Sequence, residues 1–123
     1  MRERRDLGRW SICNRVCYQK EDGGIECECQ SADISARGIR LRTNELLRPN
    51  TPLNLKISLA EDLNPVAAKG KVIWQVARQD GPPVSFDTGV SFEDIRDTDR
   101  EEIFKYAYQY KRDEITRRWW QGI

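Results

Sequence analysis

An arginine cluster at the start of the chain is the first feature with residue types suited to chemistry. Arg4, Arg5 and Arg9 stand within the opening stretch MRERRDLGRW, before the first segment with the alternation of a strand. A guanidinium is always charged, and its fork of N–H donors matches carboxylate and phosphate oxygens. Taken alone, the cluster fits either a solubilising tail or a weak patch for a polyanion.

A second polar stretch, DISARG at residues 33–38, is unusual for a plain loop. Asp33 and Ser35 are two residues apart, so their side chains point the same way in an extended segment. Gly38 can adopt a positive φ or let another group approach the backbone closely. In isolation the stretch also fits a tight turn in which the aspartate and the serine bond to nearby amides.

Composition limits the class of protein. A chain of 123 residues is expected to form one domain around one core. Lys and Arg number 21 against 20 Asp and Glu, a net charge of +1, so a local cluster must hold any bound anion and no long nucleic acid is expected. The mean hydropathy is −0.77, with no membrane-spanning run and no secretory leader, so we expect a soluble cytoplasmic protein with reduced thiols.

Short runs of alternating apolar and polar residues fill the chain between residues 10 and 95. They are WSICNRVCYQK, IECECQ, IRLRT, LNLKISL, GKVIWQV and VSFDTGVSF. Asp22-Gly23-Gly24 predicts a hairpin turn after the first run, and SADISARG is predicted as a loop. The alternation directs Trp74 into the core, and base stacking at the edge of the barrel is the alternative role for this residue. Because no helical pattern separates the runs, we predict a mainly β protein, a small antiparallel barrel over residues 10–95.

The periodicity changes after the last of these runs. Thr98-Asp99-Arg100-Glu101 has the form of a capping box with Thr98 at the N-cap, which predicts a C-terminal α-helix over residues 97–120. Its apolar stripe consists of Ile103, Phe104, Ala107, Tyr108, Tyr110 and Ile115. Trp119 and Trp120 are expected either to pack the helix on the barrel or to anchor a protein partner.

Four motifs, in this order along the chain, resemble the PilZ domain, a bacterial receptor module for cyclic di-GMP. Arg5 and Arg9 form an RxxxR motif just before the first strand, and residues 33–38 form a DxSxxG motif after one hairpin. GKVIW at residues 70–74 and TGVSFEDI at residues 88–95 resemble later strands of that family. The resemblance covers nearly the whole chain and implies a stand-alone domain with a flexible N-terminal strap over residues 1–9.

The resemblance assigns ligand contacts to six residues: Arg4, Arg5, Arg9, Asp33, Ser35 and Gly38. Their chemistry suits a guanine dinucleotide, because arginine matches both phosphate oxygens and the N7 and O6 acceptors of guanine. A carboxylate such as that of Asp33 accepts hydrogen bonds from guanine N1–H and N2–H₂. The implied function is a cyclic di-GMP receptor or adaptor whose strap becomes ordered on binding and which signals through a protein partner.

Other functions are weighed against this one. The chain has no histidine, no phosphate-cradling glycine loop and no metal motif, so we do not expect an enzyme. Cys13 and Cys17 are predicted to face the opposite side of the hairpin from Cys27 and Cys29, which disfavours zinc, and no cofactor is expected. A PilZ-fold adaptor without a ligand is the main alternative. A barrel that binds single-stranded nucleic acid is a weaker one, because the charges are balanced.

Overall fold

The computed structural model describes residues 13–35, 37–59 and 64–121, with side chains up to residue 109. The strands of this part are β1 (Arg15–Lys20), β2 (Cys27–Ile34), β3 (Gly38–Thr43), β4 (Pro52–Ser58), β5 (Val66–Ala77) and β6 (Phe86–Ile95), followed by helix α1 (Asp97–Gln121). The strands close into an antiparallel barrel in the order β1-β2-β3-β6-β5-β4. The predicted fold class, a small antiparallel barrel with a C-terminal helix, is confirmed.

The barrel interior follows directly from the alternation of the strands. In β4, Leu53, Leu55 and Ile57 are buried, whereas Asn54 and Lys56 between them are exposed. Each such apolar side chain stabilises the fold by about 1.5–3 kcal/mol on leaving water. One face of every strand therefore supplies the core, and the other face remains free for a binding site.

The first hairpin agrees with the sequence prediction in its pairing. Val16 lies opposite Cys29 and Tyr18 opposite Cys27, and the turn contains Gly23 at a φ of 102°. Cys27 and Cys29 pack against the core as predicted. The alternation of IECECQ also predicts that Ile25 shares their face, and this prediction is wrong, because β2 begins only at Cys27 and Ile25 is exposed.

The predicted loop SADISARG is wrong over most of its length. β2 continues to Ile34 and β3 begins at Gly38, so five of the eight residues of this stretch lie in strands. A register shift next to Ser31 accommodates the polar residues in the strand. The hydroxyl of Ser31 accepts a hydrogen bond from the backbone N–H of Asn14 at 2.9 Å, so this buried polar group is paired.

The prediction that Trp74 belongs to the core is also wrong. The register between β5 and β6 shifts between Val72, opposite Val90, and Trp74, opposite Gly89. The shift rotates the end of β5, because one extra residue in a strand exchanges its two faces. Val72 is consequently buried, whereas the Trp74 side chain is 40% exposed.

Helix α1 begins earlier than the capping box predicts. The carbonyl of Arg96 accepts hydrogen bonds from the N–H groups of Asp99 and Arg100, each at 3.0 Å, so Arg96 and not Thr98 occupies the N-cap. Ile103 and Ala107 are fully buried against the barrel. Two other members of the predicted stripe, Phe104 and Tyr108, are exposed, with their rings stacked 6.2 Å apart.

The end of α1 carries predictions that fall outside the described side chains. They concern Tyr110, Ile115, Trp119 and Trp120. Among the described residues, no helix combines the length and the apolar composition needed to cross a membrane.

Candidate ligand-binding cleft

A cleft of about 220 Å³ lies on the barrel wall where β2, β3, β6 and β5 run side by side. Its walls include Asp33, Ser35 and Gly38, the three described residues of the predicted site. The two long-range pairings that bring β5 beside this hairpin, β3 with β6 and β6 with β5, belong to the closed barrel. A rigid scaffold therefore holds the cleft, which favours precise positioning of its side chains.

The turn between β2 and β3 is held together by Ser35. Its backbone N–H donates to the carbonyl of Gly38 at 2.9 Å, and its hydroxyl oxygen accepts from the N–H of Arg37 at 3.2 Å. The carbonyl of Arg37 in turn accepts from the N–H of Phe92 at 2.8 Å, which ties the turn to β6. Ser35 thus has the turn-forming role that the sequence left open, and the residue also lines the cleft.

Gly38 lies at the closest approach between β3 and β6. A Cβ atom at this position would overlap the carbonyl oxygen of Val90. The positive-φ glycines among the described residues are Gly23 and Gly81, so Gly38 is required for close packing and not for an unusual φ. Of the two roles that the sequence allowed, the structure selects the second.

Asp33 is an acidic side chain buried in the barrel wall. Its carboxylate oxygen Oδ2 lies 2.9 Å from Nη2 of Arg40, the residue directly opposite it on β3. The exposed fraction of the side chain is 8% for Asp33 and 38% for Arg40. An ion pair of this kind offsets part of the cost of burying a charged carboxylate in the barrel wall.

Trp74 forms the aromatic side of the cleft. Its indole lies over Gly89, because a Cβ atom on that glycine would overlap the ring, and the exposed side chain of Ile73 is its neighbour in the cleft wall. A partly exposed indole offers a flat apolar face on which a nucleobase can stack. The cleft therefore combines a carboxylate, arginines and an aromatic plane.

Sequence reasoning missed Arg37, Arg40, Ile73 and Ser91 as cleft residues, and it offered a place for Trp74 at a base only as the alternative to the core. The signal for Arg40 lay in the short separation of the two strands, because Asp33 lies opposite Arg40 and Ile34 opposite Ile39 across the turn. No local signal indicated the exposure of Trp74, since alternation alone does not reveal a register shift. Arg4, Arg5 and Arg9 lie outside the described residues, so their contribution to this cleft stays a prediction.

A larger open cleft of about 390 Å³ lies over β4, β5 and β6. It contains none of the predicted site residues, and its walls mix both charges, with Lys56 and Lys69 against Glu26 and Asp94. Lys56 already pairs with Glu26 at 3.5 Å. This mixture points to no class of ligand, so the smaller cleft is the better candidate site.

The four cysteines are free thiols. No group of three or more Cys, Asp, Glu or His residues in the described part of the chain is placed to hold a metal ion. Burial, reinforced by the neighbouring Cys17 and Cys27, raises the pKa of Cys29 to about 12. A thiol with such a pKa stays protonated at neutral pH.

The fold and the motifs are those of a known family. The family model of the PilZ domain matches residues 2–109 of the sequence. The chain therefore belongs to the PilZ domain family. No curated protein sequence matches it significantly.

Solved structures share this fold at low sequence identity. The PilZ domain with c-di-GMP of YcgR from Escherichia coli superposes with a TM-score of 0.70 at 13% identity, over 89% of this chain and 92% of that chain. The Bacillus subtilis inhibitor of motility MotI/DgrA gives 0.71 at 19% identity, over 86% of this chain and 50% of that chain. MrkH of K. pneumonia gives 0.67 at 18% identity, over 82% of this chain and 47% of that chain. The chain thus spans about half the length of MotI/DgrA and MrkH.

Proposed function

We propose that this PilZ domain is a receptor for cyclic di-GMP, which binds in the cleft beside the β2–β3 turn. The observation that carries the proposal is the convergence of Asp33, Ser35 and Gly38 on one wall of that cleft, in a chain of the PilZ family. Two proteins of similar fold, YcgR and MrkH, have been solved with this ligand. At such low sequence identity, these structures support the fold of this chain. The site has to be argued from the residues of this chain.

The cleft chemistry suits a guanine base. The Asp33 carboxylate accepts from N1–H and N2–H₂, a pair of adjacent donors that adenine lacks. Trp74 supplies a stacking plane across the cleft, and stacking on an aromatic side chain contributes about 1–3 kcal/mol per base. Arg37, exposed at the same cleft, is suited to a phosphate oxygen.

The N-terminal arginines complete the proposed site. Arg5 and Arg9 of the RxxxR motif hold guanine edges and phosphates, and Arg4 adds a further phosphate contact. We propose that residues 1–9 act as a strap that becomes ordered over the bound ligand. Ordering costs about 1–2 kcal/mol per residue, so several charge-assisted hydrogen bonds must form together to offset it.

The output of the receptor is proposed to be a protein contact. A closed strap changes the surface beside the cleft, and a partner that prefers this surface tightens ligand binding by reciprocal linkage. The exposed Phe104–Tyr108 pair on α1 offers one contact surface, and Trp119 and Trp120 are further candidates. A PilZ-fold adaptor that binds a partner without any ligand is the alternative.

The test is a calorimetric titration of the protein with cyclic di-GMP, with cyclic di-AMP as the control ligand. We expect saturable binding of the guanine ligand only. Arg5→Ala and Arg9→Ala should each abolish binding and leave the melting temperature of the free protein unchanged, because the strap has little to stabilise without its ligand. Arg48→Ala removes an exposed arginine outside the cleft and should bind as the wild type does.

Three results would contradict the proposal. Absence of binding at high micromolar cyclic di-GMP would favour the adaptor. Equal binding of both dinucleotides would mean that the cleft does not read guanine. A lower melting temperature of the free Arg5→Ala or Arg9→Ala protein would give these arginines a structural role.

A further inference from the structure

The ion pair between Asp33 and Arg40 lies inside the proposed site and has two unequal members. Asp33 is almost completely covered, whereas about a third of the Arg40 side chain reaches solvent at the cleft, with exposed fractions of 8% and 38%. The two residues are register partners on adjacent strands, and both line the cleft. The backbone of the hairpin, and not a flexible loop, therefore sets the direction from which Arg40 meets the carboxylate.

Arg40 uses little of its donor capacity in this pair. A guanidinium carries five N–H donors, and the bond to Asp33 is formed by Nη2 at 2.9 Å. The Nε atom is buried and has no hydrogen-bond partner within the described part of the chain. An unpaired buried donor is costly, so a side chain held in this way is expected to serve a purpose at the site.

The carboxylate can serve Arg40 and a base at the same time. A carboxylate offers about four lone-pair sites, of which this bond occupies one. The charge-assisted bond to one oxygen restricts rotation of the carboxylate. Recognition of the two adjacent donors N1–H and N2–H₂ requires both carboxylate oxygens to lie in the plane of the guanine base. Loss of Arg40 would remove this bond, and the restriction that it imposes, from a buried carboxylate.

We propose that Arg40 is a specificity-determining positioning residue, which orients the Asp33 carboxylate so that it reads the N1–H and N2–H₂ edge of guanine. This inference rests on the proposed function, since it concerns the same cleft and the same ligand. It assigns Arg40 a role that neither the RxxxR nor the DxSxxG motif contains. Arg40 acts through Asp33, and the preference among bases is the property that it controls.

The test compares cyclic di-GMP with cyclic di-IMP, whose hypoxanthine bases keep N1–H, O6 and N7 but lack the 2-amino group. A hydrogen bond to a charged group is worth about 1.5–3 kcal/mol, so the wild type should prefer cyclic di-GMP by about 10-fold or more. In Arg40→Gln this preference should fall to about 3-fold or less, chiefly through weaker binding of cyclic di-GMP. Arg40→Lys should lose part of the preference, because an ammonium lacks the planar fork.

Two controls separate positioning from general damage. Arg78→Gln removes an arginine that is paired with Asp80 at 2.9 Å and with Asp87 at 3.1 Å but does not line the cleft. It should keep the wild-type preference. In an Asp33→Asn background, which removes the charge that Arg40 holds, adding Arg40→Gln should change the preference no further.

Each outcome decides between the two claims. If the wild type binds neither ligand, the proposed function fails and this inference with it. A wild type that prefers cyclic di-GMP leaves the proposed function intact. In that case the role of Arg40 alone is overturned if Arg40→Gln keeps the preference, loses both ligands equally or binds cyclic di-GMP more tightly. Melting curves verify folding, and should Arg40→Gln not fold, the preference of Arg40→Lys decides alone: a reduced ratio supports the role and an unchanged ratio overturns it.

Discussion

At the scale of single residues, polar side chains in the barrel wall each form at least one polar contact. Asp33 pairs with Arg40, and Ser31 bonds to the backbone of Asn14. The amide of Asn14 donates to the carbonyl of Ser58 at 3.0 Å, which joins the start of β1 to the end of β4. These pairings let β2 continue as a strand through polar residues, so Asp33 lies on a rigid element and not on a loop.

Gly38 gives a residue-scale prediction because its contact with β6 leaves no space for a side chain. Gly38→Ala would drive a methyl group into the carbonyl oxygen of Val90, so β3 must move away from β6. Overpacking of this kind costs about 1–3 kcal/mol. We expect urea unfolding to show that loss of stability, and cyclic di-GMP binding to weaken because the cleft floor moves.

Gly24→Ala is the matched control. An added Cβ at Gly24 would meet only side-chain carbons of Lys20, the nearest at 3.4 Å, which is ordinary contact. Its stability should stay within about 0.5 kcal/mol of the wild type. If Gly38→Ala and Gly24→Ala unfold at the same urea concentration, the packing argument for Gly38 is wrong.

At the scale of elements, regular alternation predicted best where a strand has one apolar and one polar face. β4 is such a strand, with Leu53, Leu55 and Ile57 inward, and its placement follows from sequence alone. The extension of β2 through Ser31 and Asp33 did not follow from sequence, because polar side chains of this kind are also typical of a loop, and Ser31 is paired with Asn14, just before β1. Hydrogen bonds between remote segments are thus the information that local patterns lack.

The same distinction between local patterns and long-range pairing applies to the candidate site. Asp33, Ser35 and Gly38 of the DxSxxG motif line the same cleft, because they share one short hairpin. Trp74 was misplaced, since its exposure depends on a register shift against β6 that no local pattern reveals. Long-range register, and not residue type, therefore limited the prediction of the cleft.

Two adjacent residues of α1 give an element-scale prediction. Ile103 is completely buried against the barrel, so Ile103→Ala should lower the free energy of unfolding by about 2–5 kcal/mol. Phe104→Ala removes a larger but exposed side chain that stacks on Tyr108, and should cost about 1 kcal/mol or less. Chemical denaturation of both variants measures the difference. Equal losses would mean that α1 does not pack on the barrel through the Ile103 face.

At the scale of the whole molecule, closure of the barrel links distant segments. β1 pairs with β2 on one side and with β4 on the other, so a change in this strand reaches both neighbours. Tyr18 in β1 donates a hydrogen bond to Glu45 at 2.7 Å, and burial, together with this carboxylate, raises the pKa of its phenol. Cys29, on the strand beside it, also has a raised pKa.

These two groups predict that the fold weakens in alkali. Burial raises the pKa of Cys29 from 9.0 to about 12, so over that interval the unfolded chain loses the thiol proton while the folded chain keeps it. The unfolded state then binds fewer protons, and stability must fall as the pH rises from 9.0 towards 12. The slope for one proton is at most about 1.4 kcal/mol per pH unit. Tyr18 adds to the loss from about pH 10.0, the ordinary pKa of a phenol, because the folded protein keeps that proton as well.

The measurement is the melting temperature between about pH 8 and 11, under reducing conditions, for the wild type, Cys29→Ala and Cys13→Ala. Cys29→Ala should start from a lower melting temperature, since it leaves a gap in the wall, but should decline less steeply with pH. Cys13 is exposed and its variant should follow the wild-type slope. Parallel slopes for all three proteins would mean that the thiol of Cys29 does not control alkaline unfolding, and would leave the phenol of Tyr18, tested by Tyr18→Phe, as the group whose ionisation opens the barrel.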